Sequence, residues 1–293
     1  MDSLNIGDIV ARKSYDYDIF FKIVDIKNDG RDNIAILKGI TYRIQADAPQ
    51  SDLVVQPDAK VREYRNKVDI DAYRKLKRGN NYSNGMVWSK KSFARNTSND
   101  NTRTFKILGK VLHLDGDEDY LERCLKEYKK YQLDVVGKHV VEKEQPTYIY
   151  KLLHEHKPDI LVVTGHDSIS KGQKDYLNIN TYTNSKYFIE TVKEARRYNP
   201  DKDSLLIFAG ACQSMYDNIL KAGANFASSP ERVLIHALDP VLVAEKLANT
   251  SIDRILSPSD VINNTITGEK GIGGLQSRGV LRNGYPKESF IGL

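Results

Sequence analysis

The sequence predicts an α/β fold: a mostly parallel sheet covered by helices on both faces, preceded by a small all-β module. Three observations carry this. Ile160-Leu161-Val162-Val163 and Leu205-Leu206-Ile207-Phe208-Ala209 are continuous apolar runs of strand length, the pattern of strands buried on both faces of a parallel sheet. From Phe105 to Leu281 strand-like and helix-like segments alternate, as repeated β-α units require. The first fifty residues instead hold short segments of alternating polarity separated by turns, which is how a small antiparallel barrel reads.

Residues 7–11, 20–26, 33–39 and 52–55 are the expected strands of the first region, with a turn at Asn28-Asp29-Gly30. So many strands in so short a stretch predict an SH3-like β-barrel over residues 1–58. Residues 61–78 carry Val61, Tyr64, Val68, Tyr73 and Leu76 at helical spacing. Residues 79–104, rich in Asn, Ser, Gly and Arg, read as an exposed loop. Together these make a basic helix and linker over residues 59–104. The α/β part, residues 105–293, has expected strands at 110–115, 133–141, 160–164, 205–209 and 233–238. Its expected helices lie at 118–131, 146–156, 185–198, 215–222 and 240–248. Residues 268–284 are glycine-rich, and no regular structure is expected there.

Composition narrows the function. Of 293 residues, 40% are hydrophobic and 28% charged, which argues against disorder over most of the chain. No run approaches the ~20 apolar residues of a membrane span. The start, Met1-Asp2-Ser3-Leu4, has neither the basic nor the apolar stretch of an export signal. The expectation is a cytoplasmic protein without a membrane partner. Cys124 and Cys212 are the only cysteines, too few for a disulfide framework and without the spacing of a zinc site. No GxxxxGK[ST] or GxSxG motif is present, so no cofactor, metal or serine nucleophile is expected. The net charge of +5 is local: residues 60–106 hold 13 basic against 4 acidic residues. A solvated connector explains that; docking on an anionic surface and proteolytic processing stay open beside it. Nucleic acid is not expected as a partner, since no recognition helix or aromatic platform accompanies the basic stretch. The oligomeric state is open.

In an open parallel sheet, ligands bind beyond the carboxyl ends of the strands. Two such ends carry reactive side chains: Thr164-Gly165-His166-Asp167 and Ala209-Gly210-Ala211-Cys212. If the strands are neighbours, His166 and Cys212 leave the same edge. A helix starting after Cys212 would favour thiolate, and free amides there could hold an oxyanion, worth about 3 kcal/mol per donor. A thiol, a proton carrier and an oxyanion site suffice for acyl transfer. Taken singly, a cysteine is more often a small buried hydrophobe, the reading given to Cys124, and a strand-end histidine is often only a bonded loop residue. The pair is the stronger signal.

The order "apolar strand, Gly-His" then "apolar strand, Ala-Cys" resembles the caspase-like cysteine peptidases. The 46-residue spacing here is close to the ~50 of caspases. Closer still, the segments IGDIVARKSYDYDIFFKI, ILVVTGHD and LLIFAGACQSMYDNILKAGANFASSPERVLIHALDPV resemble the YabG family of sporulation-specific peptidases over nearly the whole chain. That resemblance implies a caspase-like, flavodoxin-like sheet, a Cys212 nucleophile with His166 as partner, and backbone N–H groups of Asp167 and Cys212 as oxyanion donors. Asp167 stands where caspase-like enzymes usually carry Gly. The resemblance also implies cleavage after arginine in precursor proteins of the spore coat and cortex, with origin in the mother-cell cytoplasm and later association with the spore. An arginine pocket needs a carboxylate. The residue two before the nucleophile, which contributes in several relatives, is Gly210, so Asp239 and Asp115 at expected strand ends are the candidates. A helix cap or surface role competes for both. Arg78 and Arg95 in the basic segment are candidate self-cleavage sites. A non-catalytic spore-coat scaffold or anion-binding adaptor remains the alternative.

Overall fold

The computed structural model describes residues 4–28, 33–82, 105–169 and 175–285. Strands β1 (Ile9–Arg12), β2 (Phe20–Asn28), β3 (Asn33–Gly39), β4 (Gln45–Pro49) and β5 (Leu53–Val55) form one antiparallel sheet in the order β4-β3-β2-β1-β5. Val10, Phe21, Ile23, Ala35 and Leu37 are buried at its centre, which accounts for the alternating pattern of β3. Strand β4 was not among the expected strands. Its residues Gln-Ala-Asp-Ala-Pro include no β-branched or aromatic side chain; it is an edge strand held by pairing with β3.

Helix α1 (Asp58–Tyr82) follows. Val61 packs with Ala11, Phe20 and Ile40, and Tyr64 stacks on Phe20 at 4.3 Å. The helix runs past its expected end at Arg78, because Gly79 and the two asparagines weaken a helix without stopping it as a proline would. Arg78, expected as the last residue of the helix next to an exposed loop, therefore lies inside the helical backbone. Arg95 lies outside the described residues.

The α/β part begins with β6 (Phe105–Ile107), then β7 (Val111–Asp115), α2 (Glu118–Lys130), β8 (Val135–His139), α3 (Gln145–His156), β9 (Ile160–Thr164), α4 (Ser185–Tyr198), β10 (Leu206–Ala209), α5 (Tyr216–Ala222), β11 (Phe226–Ser228) and α6 (Asp239–Ala248). It ends with β12 (Ile255–Leu256), α7 (Pro258–Ile262), β13 (Ile272–Gly274), β14 (Ser277–Arg278) and β15 (Arg282–Gly284). The main sheet has the order β13-β11-β10-β9-β7-β8. Its strands are parallel except β13, which runs antiparallel to β11. Val111, Val162 and Phe208 face one core with residues of α2 and α6. Leu112, Val163 and Ile207 face the other, with α3, α4 and α5. Both faces are buried, so the runs are apolar throughout. Among the described residues no helix is long and apolar enough to cross a membrane.

Two expectations are corrected. Residues 233–238 are not a strand of the sheet; β11, three residues long, takes that place. The segment is apolar because Ile235 and Leu238 belong to the core on the α2 and α6 face of the sheet, while its backbone pairs with another stretch of chain, described below. The glycine-rich end does carry strands: β13 closes the sheet edge, where Gly273 and Gly274 lie against Tyr216 and Phe226 too closely for a Cβ.

Candidate active site

Strands β9 and β10 are parallel neighbours with Val163 opposite Ala209. His166 and Cys212 each follow three residues later, so the condition set by the sequence is met and both leave the same edge of the sheet. Local backbone makes the exits possible. Gly210 has φ +113°, a conformation L side chains rarely adopt. At Gly165 a Cβ would stand 2.4 Å from Glu142 Oε1, and that carboxylate accepts the His166 N–H at 2.8 Å.

Both reactive groups are fully buried. The Cys212 Sγ accepts the Ile235 N–H at 3.0 Å, yet burial outweighs this and pushes the thiol well above its ordinary range. Burial likewise holds His166 well below its ordinary value, aided by Lys38 and Arg43. Its ring stacks on Tyr120, centroids 5.1 Å apart, and Asp117 Oδ2 lies 3.9 Å from Nδ1. Burial thus favours the neutral form of both the Cys212 thiol and the His166 imidazole.

Asp167 ties the two exits together. Its carboxylate accepts from Asn184 N (2.7 Å), Ser168 N (2.9 Å), Ser185 Oγ (2.5 Å) and Ser214 Oγ (3.0 Å), while Ser185 Oγ also accepts the Met215 N–H at 2.8 Å. Asp239, at the start of α6, accepts from Ile266 N (2.6 Å), Thr267 N and the Thr267 hydroxyl. It therefore pins residues 266–267. Burial raises Asp239 to about 6 despite those bonds. A carboxyl raised in the fold binds its proton more tightly there than in the unfolded chain, so its contribution to stability falls as pH rises from about 4 to 6. Asp239→Asn is expected to gain on wild type across that window, by up to about 2–3 kcal/mol, read from urea unfolding at pH 4, 5 and 6.

Asp115 ends β7, at the point where chain order in the sheet reverses: β8 lies on one side of β7 and β9 on the other. This is the crevice that ligands use in such sheets. Asp115 is fully buried. Its Oδ2 meets Arg43 Nη1 at 2.8 Å and accepts from Thr164 Oγ1 at 2.9 Å, with His113 Nε2 at 3.4 Å. Burial alone would raise this carboxyl, but Arg43 and His113 overcome it and hold it well below the carboxylate range. Arg43, fully buried, also donates from Nη2 to the Ala237 carbonyl at 3.1 Å and lies 3.5 Å from Cys124 Sγ. His113, Asp115 and Cys124 lie close enough together to hold a metal ion; the guanidinium instead bonds two of the three.

Arg43, Tyr120 and Glu142 escaped the sequence reading. Arg43 lies between β3 and β4 in a loop with no motif, and its role exists only through partners distant in sequence. The apolar run at 233–238 was the available signal, because it needed something to pair with. Beside it opens a cleft of about 500 Å³ lined by residues including Tyr42, Gln213, Val233, His236 and Thr267.

The family model described as YabG peptidase U57 matches residues 5–286. The sporulation-specific protease YabG of Bacillus subtilis (strain 168) is 44% identical over 295 residues, covering 97% of this chain and 98% of its own length. No solved structure matches the chain. The chain belongs to the YabG peptidase U57 family.

Proposed function

We propose that this member of a peptidase family is a cysteine endopeptidase of sporulation, built on a caspase-like sheet with an SH3-like N-terminal module, that cleaves after arginine. The observation that carries the reading is the emergence of His166 and Cys212 from adjacent parallel strands at one sheet edge. Cys212 passes its thiol proton to His166 as Sγ attacks the carbonyl carbon of the scissile bond. The C–N bond breaks, His166 delivers a proton to the leaving amine, and a thioester remains. Water, deprotonated by His166, then attacks the thioester and frees Sγ. The N–H groups of Asp167 and Cys212 bind the oxygen that becomes negative in each step. Asp239 is occupied with residues 266–267, whereas Asp115 already binds a guanidinium, that of Arg43, and is the carboxylate assigned to a substrate arginine. The B. subtilis relative is named as sporulation-specific; on that footing the substrates are spore coat and cortex precursor proteins, met in the mother cell and then at the spore.

Incubation with a set of reporter peptides, products read by mass, is expected to show cuts on the carboxyl side of arginine that iodoacetamide abolishes. Cleavage that survives once peptide mass shows Cys212 fully modified would exclude it as the nucleophile. Intact mass of the enzyme in the same incubation is expected to reveal self-cleavage in the basic segment, with Arg78 and Arg95 the proposed sites. A chain that stays at full length would remove that element.

A further inference from the structure

Residues 40–44, joining β3 to β4, leave the N-terminal sheet and lie along the carboxyl edge of the parallel sheet, between the two candidate catalytic loops. Their backbone is bonded as a bound peptide would be. The Thr41 carbonyl accepts the Ala237 N–H at 3.1 Å, Arg43 N–H donates to the Ile235 carbonyl at 3.0 Å, and Tyr42 faces His236 in an antiparallel bridge. The Arg43 carbonyl accepts the Cys212 N–H at 3.1 Å. Ile44 bridges Asp167 in parallel, with Gln45 N–H donating to the Asp167 carbonyl at 3.1 Å. In a parallel pair of that kind the Asp167 N–H is directed at the residue before Ile44, which is Arg43. The Cys212 amide thus binds the carbonyl of an arginine, and the register of the bridge turns the Asp167 amide toward the same residue. The side chain of that arginine ends on Asp115 in the crevice where the sheet order reverses.

We infer that this loop is a built-in pseudosubstrate: Arg43 fills the arginine subsite, with Asp115 as its carboxylate, and a protein substrate enters only when the loop withdraws. The inference rests on the peptidase reading above and gives its specificity pocket an address. The loop is well anchored. The Tyr120 hydroxyl sits between the Gly39 and Tyr42 carbonyls, at 2.5 and 2.9 Å, and Thr41 Oγ1 donates to the Tyr64 hydroxyl at 3.2 Å. The Tyr42 ring stands edge-on to His236 at 6.4 Å beside the open cleft, where the residue before a substrate arginine would lie. The Arg43–Ile44 bond sits in a tight turn. Ile44 N–H, the nitrogen that would leave, donates to the Tyr42 carbonyl at 2.8 Å, and the Ile44 carbonyl accepts from Gly39 N at 2.9 Å. Both flanks continue into paired strands of one sheet, so neither end is free to depart.

Tyr42 and His236 are a non-hydrogen-bonded antiparallel pair, whose Cα atoms lie about 4.5 Å apart, within the span of a disulfide. The full-length double variant Tyr42→Cys/His236→Cys can therefore be locked by oxidation and released by a phosphine reductant, the bond being verified by mass. Two rates are read in each state: turnover of an arginine reporter peptide, and iodoacetamide modification of Cys212 located by peptide mass. Both are expected to be at least about tenfold slower in the locked state, with wild type indifferent to the treatment. Arg43→Gln is expected to speed Cys212 modification by a similar factor. Equal modification of Cys212 in the locked and released states, with turnover that still depends on Cys212, would overturn the pseudosubstrate alone. Modification gated by the lock with no turnover in any form would instead sink the peptidase reading on which it rests.

Discussion

Cys212→Ala is expected to lower kcat/KM for an arginine reporter peptide by about 10⁴-fold or more, the scale on which loss of a nucleophile is felt in a catalytic unit. The fold should survive the change. Cysteine packs as a small hydrophobe, and the main cost is the Ile235 N–H, which loses its sulfur acceptor at 3.0 Å, on the order of 1–3 kcal/mol. His166→Ala is expected to cost about 10²–10⁴-fold, with Glu142 still holding the loop through the backbone N–H. Activity assays paired with thermal unfolding separate the two effects. A Cys212→Ala enzyme that still cleaves would move the nucleophile elsewhere, and one that is inactive but unfolded would be answered by Cys212→Ser, which restores an acceptor to Ile235.

The second large effect is on stability. Arg43 and Asp115 are both without solvent exposure and 2.8 Å apart. Removing one member of such a pair leaves an uncompensated buried charge, typically at a cost of about 3–5 kcal/mol. Asp115→Ala is therefore expected to lower Tm by roughly 6–20 °C, at about 2–4 °C per kcal/mol for a chain of this size. It also removes the acceptor for Thr164 Oγ1 and the Asp117 N–H. The combined variant Arg43→Met/Asp115→Leu is expected to recover most of the loss, since it removes the charge along with its partner. Wild type should show the matching pH dependence. A carboxyl depressed in the fold contributes stability above about pH 4, and that contribution is lost as pH falls toward its folded value. A Tm for Asp115→Ala within about 2 °C of wild type would mean the pair contributes little to holding the two sheets together.

Those two expectations draw on different kinds of information. Ile160–Thr164 and Ser185–Tyr198 were legible in sequence to the residue, because burial on both faces of a strand or along one helix stripe leaves a periodic imprint in the chain itself. The strand ends carrying His166 and Cys212 were legible for the same reason: a long apolar run followed by glycine marks where a strand stops and a turn begins. Strand β4 and the three-residue β11 left too short an imprint. The segment at 233–238 left a misleading one, since its apolar residues join the core while its backbone pairs with residues 41–43 and not with a strand of the sheet.

What the sequence by itself determined is the parallel sheet, its flanking helices, and the place of His166 and Cys212 at its carboxyl edge. Only the tertiary structure decided what lies over that edge. Arg43 reaches Asp115 from 72 residues away and touches the Ala237 carbonyl from 194 residues away. No local pattern announces either contact, because each depends on a loop of one sheet crossing the strand ends of another. Periodicity records which face of an element is buried; it does not record what buries it.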